Sequence, residues 1–422
     1  MTFNDYLFTT NLWDLADYTN GRPTKPSELV KQGIPIIKIA ELSRGITAQT
    51  NMVSRHVVDP KHIVRAGDLL FAWSGTIGIH TYDGPEAALN QHIFKVVAKD
   101  FIDQVYLRYL LEEQLKVLQG FVEEKKTTMG HVTIANLKTV EVSIPKDLNK
   151  QRRIASYIES LDNLLNVEEK KGKTLEVIAQ TIFKSWFIDF DPVKAKMAGE
   201  KPAGMDAATA ALFPDSMEES ELGIVPSGWK VTKLSSSLKL HKSTVKAGAS
   251  TESVPYVPVD QIGAKDIFLK NSMPGSAAKT SLVSFRKNDI LFGAMRPYFH
   301  KVVLAPFDGT TRTTTFVLRV INSNYLSHSL FTVNQENAVA FATNNSQGTT
   351  IPYAVWNNSF EDFPMVLPTE PTAKAFNDLV LPIIEYGYSL IAQNRSLVEI
   401  RNGLLPRLIS GELQIPDEML AS

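Results

Sequence analysis

The stretch VRAGDLLFAWSG (64–75) decides the fold, because it returns later in the chain as SFRKNDILFGAMRP (284–297). Each copy has an aspartate, Asp68 or Asp289, directly before a short apolar run. A run of branched and aromatic residues bounded by turn formers predicts a buried β-strand. Its return roughly 220 residues later indicates an internal duplication in this chain of 422 residues.

Three further pairs recur in the same order: Trp13 and Trp229, GIPIIKIAEL (33–42) and SVPYVPVDQI (253–262), and GHVTIANLKTVEVSIP (130–145) and QGTTIPYAVWNNSFEDFPMVLP (347–368). A long helical pattern follows each half, from about 151 and from about 371. Chance does not account for four matches in one order. We therefore predict a globular domain and a long helix, followed by a second copy of both.

Within each globular half, short apolar runs are bounded by Gly, Pro, Asp or Asn, which is typical of strands. One helix is predicted near 103–119, with a counterpart near 325–340. The fold class is therefore α+β, with a small mixed or antiparallel sheet in each globular domain.

The long helical patterns carry apolar residues at near-heptad spacing, which is typical of a coiled coil. In the first these are Ile154, Ile158, Leu161, Leu165, Leu175, Ile178, Ile182 and Trp186, and in the second Phe376, Leu379, Ile383, Leu390, Leu397, Ile400, Leu404 and Leu408. A pseudo-twofold repeat would place the helices antiparallel. The alternative is two ordinary amphipathic helices, each packed on its own domain.

These patterns divide the chain into five parts: a first domain (1–150), a first spacer helix (151–190), a linker rich in Pro, Gly, Ala and acidic residues (191–225), a second domain (226–370) and a second spacer helix (371–415).

Composition excludes several classes of protein. The chain has no cysteine, which excludes disulfides and thiolate zinc sites. We find neither a signal peptide nor an apolar run long enough to span a membrane, so we expect a cytoplasmic protein without membrane contact. Residues 226–370 carry 14 Lys and Arg against 9 Asp and Glu. This excess favours a polyanionic partner, although chance variation between domains explains it equally well.

The residues just described resemble the DNA specificity subunits of type I restriction–modification systems. The most specific matches are FKSWFIDFDPVKAK (183–196) and LLPRLISGEL (404–413) at the helix ends, with QRRIASYIESLD (151–162) at the start of the first helix. The second helix begins differently, with PTEPTAKAFNDLV (368–380). The resemblance covers essentially the whole chain.

The resemblance implies a non-catalytic subunit. Each globular domain would be a target recognition domain that reads one half of a bipartite site in double-stranded DNA. The helices would separate the readers and bind two modification subunits. Those subunits would use S-adenosylmethionine to methylate adenine, and restriction subunits with ATP and Mg²⁺ would cleave. This chain itself would hold no cofactor and no metal.

The residues themselves offer little catalytic chemistry. No P-loop, no HExxH zinc motif and no glycine-rich methyltransferase loop occurs. Asp189 and Asp191 have the spacing of a metal-binding pair, but we interpret them as a turn that ends the helix. Asp68 and Asp289 are likewise interpreted as turn residues rather than nuclease carboxylates.

Two loops in each domain carry side chains suited to reading base edges or phosphates. We call 73–78 and 293–301 the strand loops, since each follows the repeated strand, and 123–131 and 342–350 the helix loops. The DNA-binding candidates are Ser74, Thr76, Lys125, Lys126, Thr128, His131, Lys242, Lys246, Arg296, Tyr298, Asn345, Gln347 and Thr349. Lys239 belongs to the same lysine cluster as Lys242 and Lys246. An ordinary solvated loop is the alternative for each.

Apolar residues near the helix ends are candidates for contacting partner subunits, and packing inside the bundle is their alternative role. They are Ile178, Ile182, Trp186, Phe187, Leu404, Leu405 and Leu408. Two other functions remain open at this stage: a coiled-coil scaffold that binds no DNA sequence, and a methyltransferase or nuclease with unrecognised motifs.

Overall fold

The computed structural model describes residues 6–123, 130–413 and 415. The chain forms two compact units. Unit 1 combines the chain up to Leu165 with the part from Ser396 onward, and unit 2 runs from Asn166 to Arg395. Each unit therefore contains one globular domain together with a piece of each long helix.

Among the residues that the structure describes, the domain of unit 1 contains eleven strands and four α-helices. The strands are β1 (Leu7–Asn11), β2 (Ala16–Asn20), β3 (Leu29–Val30), β4 (Ile34–Ile37), β5 (Met52–Val53), β6 (Ile63–Val64), β7 (Leu69–Ala72), β8 (Gly78–Thr81), β9 (Ala87–Leu89), β10 (Ile93–Ala98) and β11 (Glu141–Pro145). The helices are α1 (Ile39–Arg44), α2 (Gln104–Glu113), α3 (Leu115–Glu123) and α4 (Ile134–Thr139).

The remaining elements begin with the first long helix. They are α5 (Leu148–Phe187), α6 (Asp191–Met197), α7 (Ala207–Ala211), β12 (Met217–Ser220), β13 (Gly223–Pro226), β14 (Lys230–Lys233), β15 (Leu238–Leu240), β16 (Thr244–Val245), β17 (Leu282–Phe285), β18 (Ile290–Gly293), β19 (Val302–Leu304), β20 (Gly309–Thr311), β21 (Thr315–Val320), α8 (Leu326–Val333), α9 (Glu336–Asn344), β22 (Pro364–Leu367) and α10 (Glu370–Ile409).

The two domains repeat the same strand order. The four-stranded sheet runs β2-β10-β7-β8 in unit 1 and β15-β21-β18-β19 in unit 2. The first and last strands of each domain pair antiparallel, β1 with β11 and β14 with β22. The predicted helix near 103–119 is the pair α2 and α3, and its counterpart is α8 and α9. The α+β class and the internal repeat are therefore confirmed.

The repeated segments align as predicted, with one exception. Ile36 pairs in parallel with Ala88, and Tyr256 forms the corresponding parallel bridge to Thr310. The exception is the tryptophan pair. Trp13 follows β1 in a short 3₁₀ helix, whereas Trp229 precedes the equivalent strand β14, so the two are not equivalent positions.

The linker contains more regular structure than its composition predicts. Residues 191–225 include α6, α7 and most of the hairpin β12–β13. Val193 and Phe213 are buried, and the Phe213 ring lies edge-on to Trp186 at 5.0 Å. This segment therefore packs on the end of α5 in unit 2.

The two long helices, of 40 residues each, pair antiparallel. In unit 1, Ile154 and Ile158 near the start of α5 share a core with Leu408 near the end of α10. In unit 2, Phe183 near the end of α5 contacts Phe376 near the start of α10, with ring centroids 6.0 Å apart.

The predicted seam needs three corrections. Ile178, Leu379 and Ile400 are exposed, with 42%, 43% and 50% of their surface accessible. Ala179 and Val380, one residue further on, are buried in place of the first two. A helix of 3.6 residues per turn rotates away from a strict seven-residue repeat, so the buried stripe moves to the adjacent position.

Gln151 anchors the start of α5 to the domain of unit 1. Its side chain is fully buried and donates hydrogen bonds to the carbonyl oxygens of Phe101, at 3.2 Å, and Pro145, at 2.7 Å. The side-chain amide oxygen of Gln151 accepts a hydrogen bond from the backbone N–H of Asp103 at 2.8 Å. A buried amide with all of these partners stabilises one orientation of the helix. In the second helix this anchor is missing, because Ala373 occupies the equivalent position.

Within unit 2, residues 266–270 pack on both long helices. The Glu176 carboxylate of α5 accepts the Ile267 N–H at 2.9 Å, and the Tyr388 hydroxyl of α10 accepts the Leu269 N–H at 3.2 Å. Gly387 lies against the Phe268 ring, where an added Cβ would be 2.3 Å from the nearest ring carbon. Only glycine leaves room for this ring on the helix.

The repeated aspartates fix turns, as predicted. Each carboxylate accepts the backbone N–H of the residue three positions earlier, Arg65 for Asp68 and Arg286 for Asp289, at 2.8 Å in both. The residue before each aspartate has a left-handed φ, +95° at Gly67 and +70° at Asn288. Gly and Asn are the residues that adopt this conformation most readily.

Candidate nucleic-acid interface

In unit 1 the strand loop lies beside the described end of the helix loop, residues 130 and 131. Ser74 and His131 form an antiparallel β-bridge, and the Val132 N–H donates to the Trp73 carbonyl oxygen at 2.8 Å. The Trp73 and His131 rings are 6.0 Å apart, edge to face. Ser74 and His131, which lie more than 50 residues apart in the sequence, thus contribute to one surface at the end of β7.

Unit 2 repeats this arrangement. Met295 of the strand loop bridges Tyr353, and the Arg296 N–H donates to the Pro352 carbonyl oxygen at 2.8 Å. Tyr353 in turn exchanges two backbone hydrogen bonds with Gln347 of the helix loop, at 2.8 and 2.9 Å. The strand loop is therefore joined to the helix loop at the equivalent place in both domains, through His131 in unit 1 and through Tyr353, which follows the helix loop, in unit 2.

The candidates in unit 1 differ in accessibility. Thr76 and His131 are exposed, whereas Ser74 is buried at 9% exposure and serves to join the loops. Lys125, Lys126 and Thr128 lie outside the described residues. Thr76 and His131 are thus the side chains of this loop pair that are placed to reach a ligand.

The strand loop of unit 2 is held in an unusual backbone conformation. Arg296 and His300 both have left-handed φ angles, +53° and +52°, and flank a single 3₁₀ turn. Between them Tyr298 and Phe299 are half exposed, with ring centroids 4.8 Å apart. Left-handed non-glycine residues cost free energy and are enriched at functional sites. Phe299 was not predicted from the sequence, although it follows Tyr298 directly.

The helix loop of unit 2 contributes three exposed candidates, and the side chain of one of them, Asn345, has a structural role. The Asn345 side chain donates to the Phe341 carbonyl oxygen at 2.8 Å and so caps the end of α9. Gln347 and Thr349 are exposed. The last two are therefore better placed than Asn345 to contact DNA.

Unit 2 also carries exposed cations outside these loops. Lys239, Lys242 and Lys246 are exposed and form no ion pair with any described residue, and the same holds for Arg312. Arg312 was missed in the sequence because it lies between strands in TRTTT, outside the chosen loops. A cation without an acidic partner in the folded chain is available to a phosphate.

The partner candidates mostly lie inside the chain. Trp186 and Phe187 are buried in the core of unit 2, and Leu405 and Leu408 in that of unit 1, each with 5% exposure or less. Ile182 and Leu404 are partly buried, and Ile178 is exposed. The four buried side chains therefore contribute to packing, the alternative role given to them from the sequence.

Asp189 and Asp191, at the end of α5, both bind neighbouring side chains of the same turn. Asp189 forms an ion pair with Lys184, and Asp191 accepts a hydrogen bond from the Ser185 hydroxyl at 2.8 Å. Phe190 between them has a left-handed φ of +55°. Among the residues described, no group of three His, Asp or Glu side chains is arranged to hold a metal ion. No helix in the described part of the chain has the length and apolar character of a membrane span.

Known proteins resemble this chain in sequence and in fold. The profile of the family described as "type I restriction modification DNA specificity domain" matches residues 9–177. The MjaIX specificity subunit of Methanocaldococcus jannaschii is 25% identical over 367 residues, covering 83% of this chain and 78% of its own length. The HindI specificity subunit of Haemophilus influenzae is 22% identical over 366 residues, covering 75% and 78%.

A solved structure agrees on the fold. The S subunit of a type I restriction–modification system from M. genitalium matches with a TM-score of 0.56 at 13% sequence identity, covering 97% of this chain and 98% of its own. The matched sequences and the matched structure all come from type I restriction–modification specificity proteins. Residues 9–177 thus match the DNA specificity domain of type I restriction–modification systems, and the chain as a whole is similar in sequence to type I specificity subunits.

Proposed function

We propose that this chain reads a bipartite sequence in double-stranded DNA, with one half-site for each domain, and that partner subunits do the chemistry. One observation carries the proposal: the strand loop and helix loop meet at equivalent positions in both domains, through Ser74 and His131 in one and Met295 and Tyr353 in the other. Two equivalent reading surfaces suit two half-sites.

The chemistry of these surfaces supports DNA as the ligand. The loops offer hydroxyl, amide, imidazole and guanidinium groups, which are the groups that read base edges in the grooves. Lys242, Lys246 and Arg312 add unpaired positive charge for phosphates. In this proposal the chain acts without catalysis of its own.

The long helices have a separate role in this proposal. They space the two readers and present surface to two modification subunits, which supply S-adenosylmethionine and methylate adenine. Restriction subunits with ATP and Mg²⁺ complete the assembly. Exposed apolar side chains on the helices, among them Val177, Ile178 and Tyr386, are the residues available for such contacts.

The test is a methylome. The chain is expressed with the modification subunits encoded beside it in a host that lacks adenine methylation, and the genome is read by single-molecule sequencing. We expect adenine methylation at a split motif, which disappears when this gene is omitted. A continuous motif would overturn the two-reader proposal. Methyl transfer by the purified chain alone would overturn the non-catalytic one.

A further inference from the structure

Unit 2 contains a cavity of about 370 Å³ beside its reading loops. Its aromatic walls are Phe316, Tyr353 and Trp356, Thr315 lies among the lining residues, and Lys242 lies at the exposed edge. The volume falls at the lower end of the range for small-molecule sites. The cavity adjoins Tyr353, the residue that joins the strand loop to the helix loop.

The first domain shows what kind of group fits this place. Phe316 is equivalent to Phe94, because Phe316 pairs with Phe292 and Phe94 pairs with Phe71 at matched positions of the two sheets. Tyr353 bridges the strand loop as His131 does in unit 1. Leu240 pairs with Leu318, and Tyr18 pairs with the equivalent residue Val96. Lys242 and Asn20 each lie two residues further along the chain, so they correspond to each other.

In unit 1 an indole ring contacts all three equivalents. The ring of Trp73 lies 5.8 Å from Phe94 and 6.0 Å from His131, and its N–H donates to the Asn20 side chain at 3.1 Å. The residue equivalent to Trp73 in unit 2 is Ala294, which follows Gly293 as Trp73 follows Ala72. The cavity therefore opens where the first domain places a planar ring with one polar edge.

The cavity also holds a polar atom without a partner. Thr315 is 2% exposed, and its hydroxyl forms no hydrogen bond with any described residue. In the first domain the equivalent position is Ile93, which carries no such group. A buried hydroxyl without a partner costs free energy, and a polar ligand in the cavity would relieve that cost.

We propose that this cavity accepts one unstacked nucleobase from bound DNA. The ring lies against the aromatic walls, as bases do when they leave the stack. The Thr315 hydroxyl hydrogen-bonds the edge of the base, and Lys242 binds the adjoining phosphate. The inference rests on the DNA-reading function proposed above, and it deepens that function by naming a base-specific pocket in the second reader.

A nucleotide fits these features better than an aromatic side chain from a protein partner. An indole or phenol ring would satisfy the aromatic walls but would leave Lys242 unpaired. A nucleotide supplies the planar ring, the polar edge and the anion together. The unpaired cations Lys246 and Arg312 in the same unit favour the anionic ligand further.

The experiment measures binding of small probes to the full chain by ligand-observed NMR. The probes are the four deoxynucleoside 5′-monophosphates, 2-deoxyribose 5-phosphate without a base, and N-acetyltryptophanamide. We expect at least one nucleotide to bind ten times more tightly than the sugar phosphate. Equal binding of the two would mean phosphate capture alone and would overturn the proposal.

Variants locate the site. Thr315→Val removes the unpaired hydroxyl without changing the side-chain shape, so the fold is retained, and we expect at least a fivefold weaker nucleotide affinity. Thr315→Ser keeps the hydroxyl and should bind like the original chain. Lys242→Ala should weaken the nucleotide as well, whereas Lys279→Ala, an exposed lysine of the same unit, should not.

Two results would contradict the assignment. Unchanged nucleotide affinity in Thr315→Val would place the nucleotide elsewhere. Tighter binding of N-acetyltryptophanamide than of any nucleotide, with loss in Thr315→Val, would make the cavity a site for a protein side chain. If the chain still binds duplex DNA in a salt-sensitive manner in either case, the DNA-reading function stands and only this inference fails.

Discussion

Asp289 and Arg319 form a two-pronged ion pair between neighbouring strands of unit 2, with both N–O distances at 2.7 Å. The side chain of Asp289 is 3% exposed. At the equivalent place in unit 1, Asp68 pairs with Lys95 through a single contact of 2.7 Å, and its side chain is 24% exposed. The aspartate is repeated, but its cation and its burial are not.

Removing the charge from Asp289 should therefore cost more than removing it from Asp68. Asp289→Asn removes the buried carboxylate and leaves the partly buried Arg319 without its counter-charge, and we expect a loss of about 3 kcal/mol in the free energy of unfolding. Asp68→Asn should lose about 1 kcal/mol, because its pair is partly solvated. Hydrogen exchange of peptides covering β18 and β7, measured in urea, reports each unit separately. Equal losses would contradict the burial argument.

These aspartates show how far sequence reasoning reached. The motifs RAGD and RKND predicted two turns, and the turns are present. The ion-pair partners of these aspartates could not be predicted from the sequence, because only the strand register brings Lys95 and Arg319 close to them. The heptad pattern likewise predicted paired helices but placed Ile178 on the buried face, which Ala179 occupies. Apolar residues at adjacent positions leave that choice to packing.

The candidate site was predicted in outline. The repeat located the strand and helix loops, since equivalent loops recur in both halves. It did not show that Ser74 is buried as a bridge, or that Tyr353 joins the loops in unit 2. The cavity depends on Ala294 standing where Trp73 stands in unit 1, and only the strand registers make that equivalence visible.

Glu176 should make unit 2 less stable as the pH rises. Burial, with a smaller contribution from Asp266, raises the pKa of this carboxyl to about 7, above its ordinary value of 4.5. The folded chain then holds a proton that the unfolded chain has released, so the unfolding free energy decreases between pH 4.5 and pH 7. At pH 8 the Glu176 carboxylate is charged although burial has removed much of its hydration.

Glu176→Gln removes that charge and keeps an oxygen to accept the Ile267 N–H. At pH 8 we expect a gain of roughly 1 kcal/mol after allowance for solvent screening, and little change at pH 4.5. Thermal unfolding of unit 2 at both pH values is the measurement. Glu252→Gln, which replaces an exposed glutamate of the same unit, is the control. A gain that is the same at both pH values would point to packing rather than titration.

His328 should make unit 2 sensitive to acid. Burial lowers the pKa of its imidazole to about 3, against an ordinary value of 6.5. The unfolded chain therefore binds a proton below pH 6.5 that the folded chain excludes, and the unfolding free energy falls as the pH falls. The ring lies against Phe187, with centroids 4.8 Å apart.

His328→Leu should flatten this dependence between pH 6.5 and pH 5 by about 1 kcal/mol per pH unit. His56→Gln replaces an exposed histidine and should leave the slope unchanged. Melting temperatures of the three proteins across this range provide the comparison. An unaltered slope in the His328 variant would assign the acid sensitivity to other groups.

Lys242 and Lys246 should contribute to the salt dependence of DNA binding. Each phosphate contact adds about one unit to the slope of log affinity against log salt concentration. Alanine at either position should lower that slope by about one. Lys233→Ala is the matched control, because this lysine of the same domain already pairs with Asp362 at 2.8 Å. Equal effects of all three would indicate a diffuse charge effect instead of contacts.

Exchange of residues 226–370 for the equivalent domain of another family member should change only one half of the methylated motif. The segment includes both strands of the β14–β22 pair that closes the domain, so the exchange leaves no strand without its partner. The incoming domain must still pack on Phe183 and Phe187 of α5, which contact the imidazole of His328 in this chain. A donor with an apolar or aromatic residue at that position should fold. The motif of the chimera, read by single-molecule sequencing, should keep one half-site and replace the other. A change in both halves would mean that the two domains do not read independently.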